Sequence, residues 1–383
     1  MQSVPGSPQA RFPEHPAGGS APERPGDPVP ASPLSVTDFR GELARLMAAA
    51  GTVGERPPHT VVFALDGVDL ATARRCWPAA ETRLMRSVTP TTSSACWLSA
   101  LTGLDTAAHG VPGVVFADPS GGPGLVDFLS YRGPGLAPDA DTVFGDAARL
   151  GRRPLALLGD MEHYGSAWRD ALLKGAEPVA GHCFYTEGGV YRYRPAAEVF
   201  DRVRTAVESA LERYGAQEPC LIWCYVEVDQ HVHRHGYDRH TTEVLTALDG
   251  YARALVARGA LVVAHADHGL VPTVHDEALA GLLDQLGQRY GFRMGGAGRM
   301  RWLHAAPGTD RAELAAVLQK SLPSDVRVLD ADSVFPPGSP ARARVGGVVL
   351  VAEGERFLTD PGYRYDHGSF APGETDTPFS VWR

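Results

Sequence analysis

The chain has 383 residues and a formal net charge of −9, from 36 Lys and Arg against 45 Asp and Glu, and its length suffices to bury one large α/β domain or two ordinary ones. Its only lysines are Lys174 and Lys320, and no basic block offsets the acidity, which argues against a nucleic acid polymer as partner. No apolar window of about 18 residues and no run of signal-peptide type occurs, so a soluble, cytoplasmic protein without membrane contact is expected.

Half of residues 1–34 are Pro, Gly or Ser. Such a segment buries too little apolar area to offset its ordering entropy, and a disordered tail is expected. Within residues 35–57, "SVTDFRGELARLMAAAG" reads as an N-terminal helix with Ser35 as cap, Asp38 in the first turn and Gly51 after the end. From residue 58 the main domain is expected to run to 383. It opens on "HTVVFALDGVD", a continuous apolar run closed by Asp66 and Gly67, the pattern of a parallel strand buried on both faces.

"SVTPTTSSACWLSALTG" then places Pro90 and a Thr/Ser run ahead of a short apolar helix ending at Thr102 and Gly103. Unpaired N–H groups and the helix dipole at such a start favour an anionic nucleophile and a bound phosphate. Thr91, Thr92, Ser93 and Ser94 are all candidates on chemistry alone, and a Ser/Thr-rich cap without catalytic role is the plain alternative. Residues of about 116–195, with Gly/Pro-rich loops, and 290–352, with short strands in "RMRWLHAAP" and "GGVVLVAEG" around one helix, are less regular and are expected as two cap insertions over the site. Between and around them, the runs "PLALLGD", "CLIWCYVEVD" and "GALVVAHADHG" alternate with helical stretches. This predicts a three-layer α/β fold, a mostly parallel central sheet with helices on both faces, binding its ligand beyond the carboxyl ends of the strands. Cys220 and Cys224 would lie roughly 13 Å apart along one strand, too far for a disulfide, so the five cysteines are expected to be reduced.

The strand ends collect Asp66, then Asp229 with His233, then Asp267 with His268, and His367 follows near the C-terminus. Singly, each is ordinary: an Asp caps turns, and a His is more often hydrogen-bonded structure. Together they form an N/O donor set suited to two zinc-like ions.

In this order the motifs resemble the alkaline phosphatase superfamily, most closely its type I phosphodiesterase/nucleotide pyrophosphatase branch, which includes phosphonoacetate hydrolase. "LDG" at Asp66, "PTTS" ending at Ser93 and "TGLDTAAHG" ending at Gly110 follow the branch's opening motif; "DQHVHRHG", "DHG" and the late "HG" follow the rest. The resemblance implies an alkaline-phosphatase-like fold and Ser93 as nucleophile, with Thr92 second. It also implies one divalent ion, Zn²⁺ or Mn²⁺, on Asp66, Ser93, Asp267 and His268, and another on Asp229, His233 and His367. The implied reaction is hydrolysis of a phosphodiester or phosphoanhydride in a small molecule, such as a nucleotide derivative, through a covalent phospho-serine. Phosphonate or phosphomonoester hydrolysis on the same groups, and a non-catalytic metal-binding protein, are the alternatives. His109 reads as structural, and His231 and His235 as neighbours of the one ligand, His233. Val114 stands where many relatives carry an Asn that holds a phosphoryl oxygen. The chain also runs only to "TPFSVWR" after His367, and an uncovered sheet edge, or one filled by the N-terminal segment, is expected there.

Overall fold

Val61, Phe63 and Leu65 of the strand Thr60–Leu65 pack into one hydrophobic cluster, while Val62 and Ala64 pack into another. Leu221, Trp223 and Tyr225 of the strand Cys220–Val226 divide in the same way from Ile222, Cys224 and Val226. Apolar contacts on both faces explain why these strands read as unbroken hydrophobic runs rather than alternating ones. The computed structural model describes residues 33–51, 56–119, 124–133, 136–137 and 140–383, all within one compact unit, Pro33–Arg383. The expectation of a loose segment over 1–34 lies outside the described residues except at its end, where Leu34 is already buried in a strand.

Among the described residues the central sheet has eight strands. In spatial order they are Leu34–Ser35, Glu81–Arg86, Asp376–Trp382, Leu261–Ala266, Thr60–Leu65, Cys220–Val226, Arg153–Leu157 and Glu177–Val179. Asp376–Trp382 runs antiparallel to both neighbours and the other pairings are parallel. The helices Phe39–Ala49 and Ser93–Thr102 cover one face, and Ala196–Ala210 and Arg239–Ala257 the other. The fold is the predicted three-layer, mostly parallel α/β architecture. Ser35 caps the first helical turn through a capping box with Asp38, and Gly51 follows the helix at φ 66°. All five cysteines are free.

Two expectations need correction. The strand after His367 leaves no bare edge: Asp376–Trp382 is interior to the sheet, and Leu34–Ser35 lies at the margin beside Glu81–Arg86. The cap segments are also not two separate insertions. Arg153–Leu157 and Glu177–Val179, inside the first, belong to the central sheet. Val115–Ala117 and Leu125–Asp127 instead join a six-stranded antiparallel sheet with Arg293–Ala297, Met300–His304, Val326–Asp330 and Val348–Ala352. One face of this second sheet, through Met300, Trp302, Val349 and Val351, packs into the main core. Its other face is covered by the helices Glu277–Tyr290 and Arg311–Ser321.

Candidate active site

Parallel strands deliver their carboxyl ends to one side of the sheet. Asp66 follows Thr60–Leu65 there, Asp267 and His268 follow Leu261–Ala266, and Asp229 opens the helix Asp229–His235 just beyond Cys220–Val226. Gly67 makes the meeting feasible. It adopts φ 75°, and a Cβ there would press on the backbone and side chain of Asp229, 2.8 Å from its Cα. The Gly67 N–H donates to Asp267 Oδ1 at 3.2 Å.

The predicted ligands fall into two buried groups, Asp66/Asp267/His268 and Asp229/His233/His367, with the donor atoms of each within 4.8 Å of one another. The His268 and His367 rings stack at 3.8 Å, so the two groups adjoin. Each imidazole donates from Nδ1 to a backbone carbonyl: His233 to Tyr365 at 2.8 Å, His367 to Thr91 at 2.7 Å, His268 to Gly269 at 3.2 Å. This leaves every Nε2 facing the centre, the arrangement second-shell bonds give metal-binding histidines.

Asp229 Oδ1 and Asp267 Oδ2 are buried with no hydrogen-bond partner among the described residues. Burial, and then the charge of Asp229, push the Asp66 carboxyl up to about 8 against the bonds it accepts from Trp97, Tyr225 and Ser93. Asp267 is raised well above the carboxylate range by burial and by Asp66 and Asp229. Burial, and next the neighbouring His367 and His233, hold His268 well below the usual imidazole range. Carboxylates driven together, beside His268 and His367 imidazoles that burial keeps neutral and a His233 that is raised, against burial, by its bond to Asp229, fit divalent cations with mixed N/O coordination.

Among the four hydroxyl candidates, geometry separates Ser93. Thr91, Thr92 and Ser94 are all buried. Thr91 Oγ1 donates within reach of Ser369 O and Glu374 Oε2, both at 3.0 Å, and Thr92 Oγ1 and Ser94 Oγ bond each other at 2.8 Å. Ser93 is partly accessible, and its Oγ donates to Asp66 Oδ1 at 3.2 Å and lies 3.1 Å from His268 Nε2. It is the first residue of Ser93–Thr102, whose N-cap Thr92 makes no side-chain cap bond. The positive end of that helix therefore faces the space in front of the serine.

The spacing of "DQHVHRHG" resolves as helical. Asp229 and His233 share one face, with His233 Nε2 3.6 Å from Asp229 Oδ2, while His231 and His235 stack on each other at 4.5 Å. His231 is held by Tyr191 OH and Asp238 Oδ1, both at 3.1 Å, which gives it a structural place on the side of the helix away from the ligands. His109 is buried too, bonded to Ser99 Oγ and to the Val111 N–H. Asp160, at another strand end, accepts backbone bonds from Phe184, Tyr185 and Thr186 and so anchors that loop.

Several supporting residues were not anticipated. Trp97 Nε1 and Tyr225 OH donate to Asp66 Oδ2 at 3.0 and 2.7 Å. Arg299 pairs with Glu374 at 2.7 Å with both side chains buried, and Glu374 accepts from Thr91 and Ser369 on either side of the His367 loop. Trp97, one helical turn after Ser93, was findable from spacing; Glu374 carries no local signal. Glu374→Gln removes the carboxylate that balances the buried Arg299 charge, leaving its bonds to Thr273 Oγ1 and the Gly354 carbonyl, and is expected to cost about 3–5 kcal/mol of stability, readable as a lowered midpoint in urea unfolding.

Residues 79–369 match the family model described as type I phosphodiesterase / nucleotide pyrophosphatase, a span that holds every predicted site residue except Asp66. Similar solved structures include phosphonoacetate hydrolase from Sinorhizobium meliloti 1021 in complex with phosphonoformate: TM-score 0.63, 21% identity, covering 87% of this chain and 92% of that one. Murine ectonucleotide pyrophosphatase / phosphodiesterase 5 gives a TM-score of 0.59 at 15% identity, over 84% of this chain and 87% of that one. An inactive form of the murine protein in complex with AMP gives 0.58 at 15% identity, over 85% and 87%. No curated protein sequence matches the chain.

Proposed function

Because the chain belongs to the type I phosphodiesterase / nucleotide pyrophosphatase family, and is thereby a metal-dependent hydrolase of the phosphodiesterase/phosphatase type, we propose that it cleaves a phosphodiester or phosphoanhydride bond in a small molecule through a covalent phospho-serine on Ser93. The observation that carries this reading is the partly accessible Ser93 hydroxyl at a helix start, 3.2 Å from Asp66 Oδ1 and 3.1 Å from His268 Nε2, beside one of the two adjoining groups of metal-type donors.

Asp66, Ser93, Asp267 and His268 would hold one divalent ion and Asp229, His233 and His367 the other, with Zn²⁺ suited to these N and O donors. When bound, the two ions supply positive charge that favours ionised Ser93 and offsets charge building on the attacking and leaving oxygens. Asp66 Oδ1 takes the hydrogen bond of the Ser93 hydroxyl and so aims Oγ. Trp97 and Tyr225 fix that carboxylate from behind through Oδ2. Ser93 Oγ forms a bond to phosphorus as the bond to the leaving oxygen breaks; water then attacks phosphorus, releasing the phosphoryl product and restoring the serine. The positive end of Ser93–Thr102 favours the phosphoryl oxygens and would stand in for the amide donor that Val114 lacks.

Metal analysis of the purified protein is expected to give two divalent ions per chain. Chelation should abolish phosphate-ester hydrolysis and lower the thermal midpoint, since ions that bind only the folded state stabilise it. Metal-free protein that hydrolyses nitrophenyl phosphodiesters at the full rate would overturn the reading.

A further inference from the structure

Tyr237 stands between Gly236, which closes the helix Asp229–His235, and Asp238, whose carboxylate caps Arg239–Ala257 by accepting the Thr241 N–H at 3.0 Å. Two helix ends therefore hold its backbone, and its ring packs against the hydrophobic core. From the segment that carries the second donor group, the side chain reaches the loops of the first. Its hydroxyl donates to the Gly67 carbonyl at 3.1 Å and accepts the Leu270 N–H at 2.9 Å. Gly67 directly follows Asp66, and Leu270 lies two residues after His268. Burial, and next the charge of Asp69, push this phenol up, so it keeps the proton that it donates.

The bridge stands where the sheet stops. Thr60–Leu65 and Leu261–Ala266 pair as far as Leu65 and Ala266, whereas Asp66, Asp267 and His268 all come after those residues. Side chains then help to set the spacing of the two loops. The bond from the Gly67 N–H to Asp267 Oδ1 is one such link, but it occupies an oxygen of a metal-type donor. The Tyr237 hydroxyl joins the same loops and leaves every donor atom free.

The ring of Tyr237 supports the other group. It meets Tyr365 edge to face, with centroids 6.1 Å apart and planes at 82°, and the Tyr365 carbonyl is the acceptor that orients His233. Gly236 makes room for this packing. It adopts φ 75°, and a Cβ there would lie 2.5 Å from the Tyr365 ring.

We propose that Tyr237 is a positioning residue for both donor groups: its hydroxyl sets the spacing of Asp66 from Asp267 and His268, and its ring backs the carbonyl that aims His233. This role rests on the two-ion reading of the site and involves no contact with substrate.

Tyr237→Phe removes the bridging oxygen and keeps the ring, so it separates the two roles. Metal-free wild type and variant are titrated with Zn²⁺ by calorimetry, each also in the His233→Ala background, where one ion is left. Tyr237→Phe is expected to weaken one binding step about tenfold or more and to keep the other, the scale of a lost bond behind a metal ligand. The single ion of the double variant should be weakened equally, because the oxygen acts on the first group. Excess Zn²⁺ is expected to restore kcat in Tyr237→Phe with KM unchanged. A residue that only holds the fold together would lower the unfolding midpoint and leave both affinities at the wild-type values. Amide hydrogen exchange in wild type adds a measurement that needs no substitution: the Leu270 N–H is expected to be protected, and exchange at the rate of an open loop would overturn the bridge. Unchanged affinities in Tyr237→Phe, or a weakening confined to the second ion, would overturn the assignment of Tyr237 alone. Wild type that binds no Zn²⁺ would overturn the two-ion reading with it.

Discussion

Ser93→Ala is expected to lower kcat/KM for phosphoester hydrolysis by about a thousandfold or more, the scale seen when a covalent nucleophile is removed, with the fold retained. No neighbouring hydroxyl is placed to take over. Thr92 and Ser94 bond each other, and Thr91 is engaged with Ser369 and Glu374 behind the loop that carries His367. The check is steady-state kinetics beside circular dichroism, with a trapping experiment for the covalent intermediate: wild type quenched in acid during turnover should carry on Ser93 the substrate's phosphoryl group with the substituent it retains. Full activity in the alanine variant, or that group on a different residue, would move the nucleophile elsewhere.

His233→Ala is expected to take the bound metal from two ions per chain to one, with a loss of activity of similar size. It removes one of only three protein donors in its group, and with it the imidazole oriented by the Tyr365 carbonyl. His231→Ala and His235→Ala are expected to keep both ions, because those rings lie on the other side of the helix among Tyr191, Tyr193 and His240. Metal quantification on the three variants separates these outcomes. Loss of an ion in His231→Ala with retention in His233→Ala would mean that the ligand register is shifted by two.

The central sheet was legible because a strand covered on both faces writes itself as an unbroken apolar run, as "CLIWCYV" does in Cys220–Val226. The second sheet was legible only in part, since "RMRWLHAAP" and "GGVVLVAEG" hold its strands Met300–His304 and Val348–Ala352 but nothing in them announces their partners. Its strands are short, one contains Gly295 and Gly296, and Val115–Ala117 finds its partner in Arg293–Ala297 across a long stretch of intervening chain. Periodicity inside one window cannot report such a pairing. The donor set was legible as strand-end acids and histidines in a familiar order. The groups that aim those donors were not, since Tyr225 lies 159 positions from Asp66 and Glu374 lies 283 from Thr91. A long-range bond of this kind leaves no mark on local sequence. Thr91 to Ser94 were equivalent on paper, and only packing separates them, since three of the four are buried and turned toward other partners.

The strand Asp376–Trp382 comes later in the chain than every other strand of the central sheet, yet it lies between Glu81–Arg86 and Leu261–Ala266. Until it arrives, the sheet is divided into two unzipped halves, each showing an unpaired edge. The loop carrying His367 immediately precedes it and is fastened from the other side, where the Arg299 N–H donates to the His367 carbonyl at 2.7 Å. Closing the sheet and completing the second donor group are therefore coupled steps in assembly, both waiting on contacts of large sequence separation, the kind that form slowly. A chain whose sheet is still open at this strand has the loop that carries His367 held from one side only, so the second donor group is completed as the sheet zips shut.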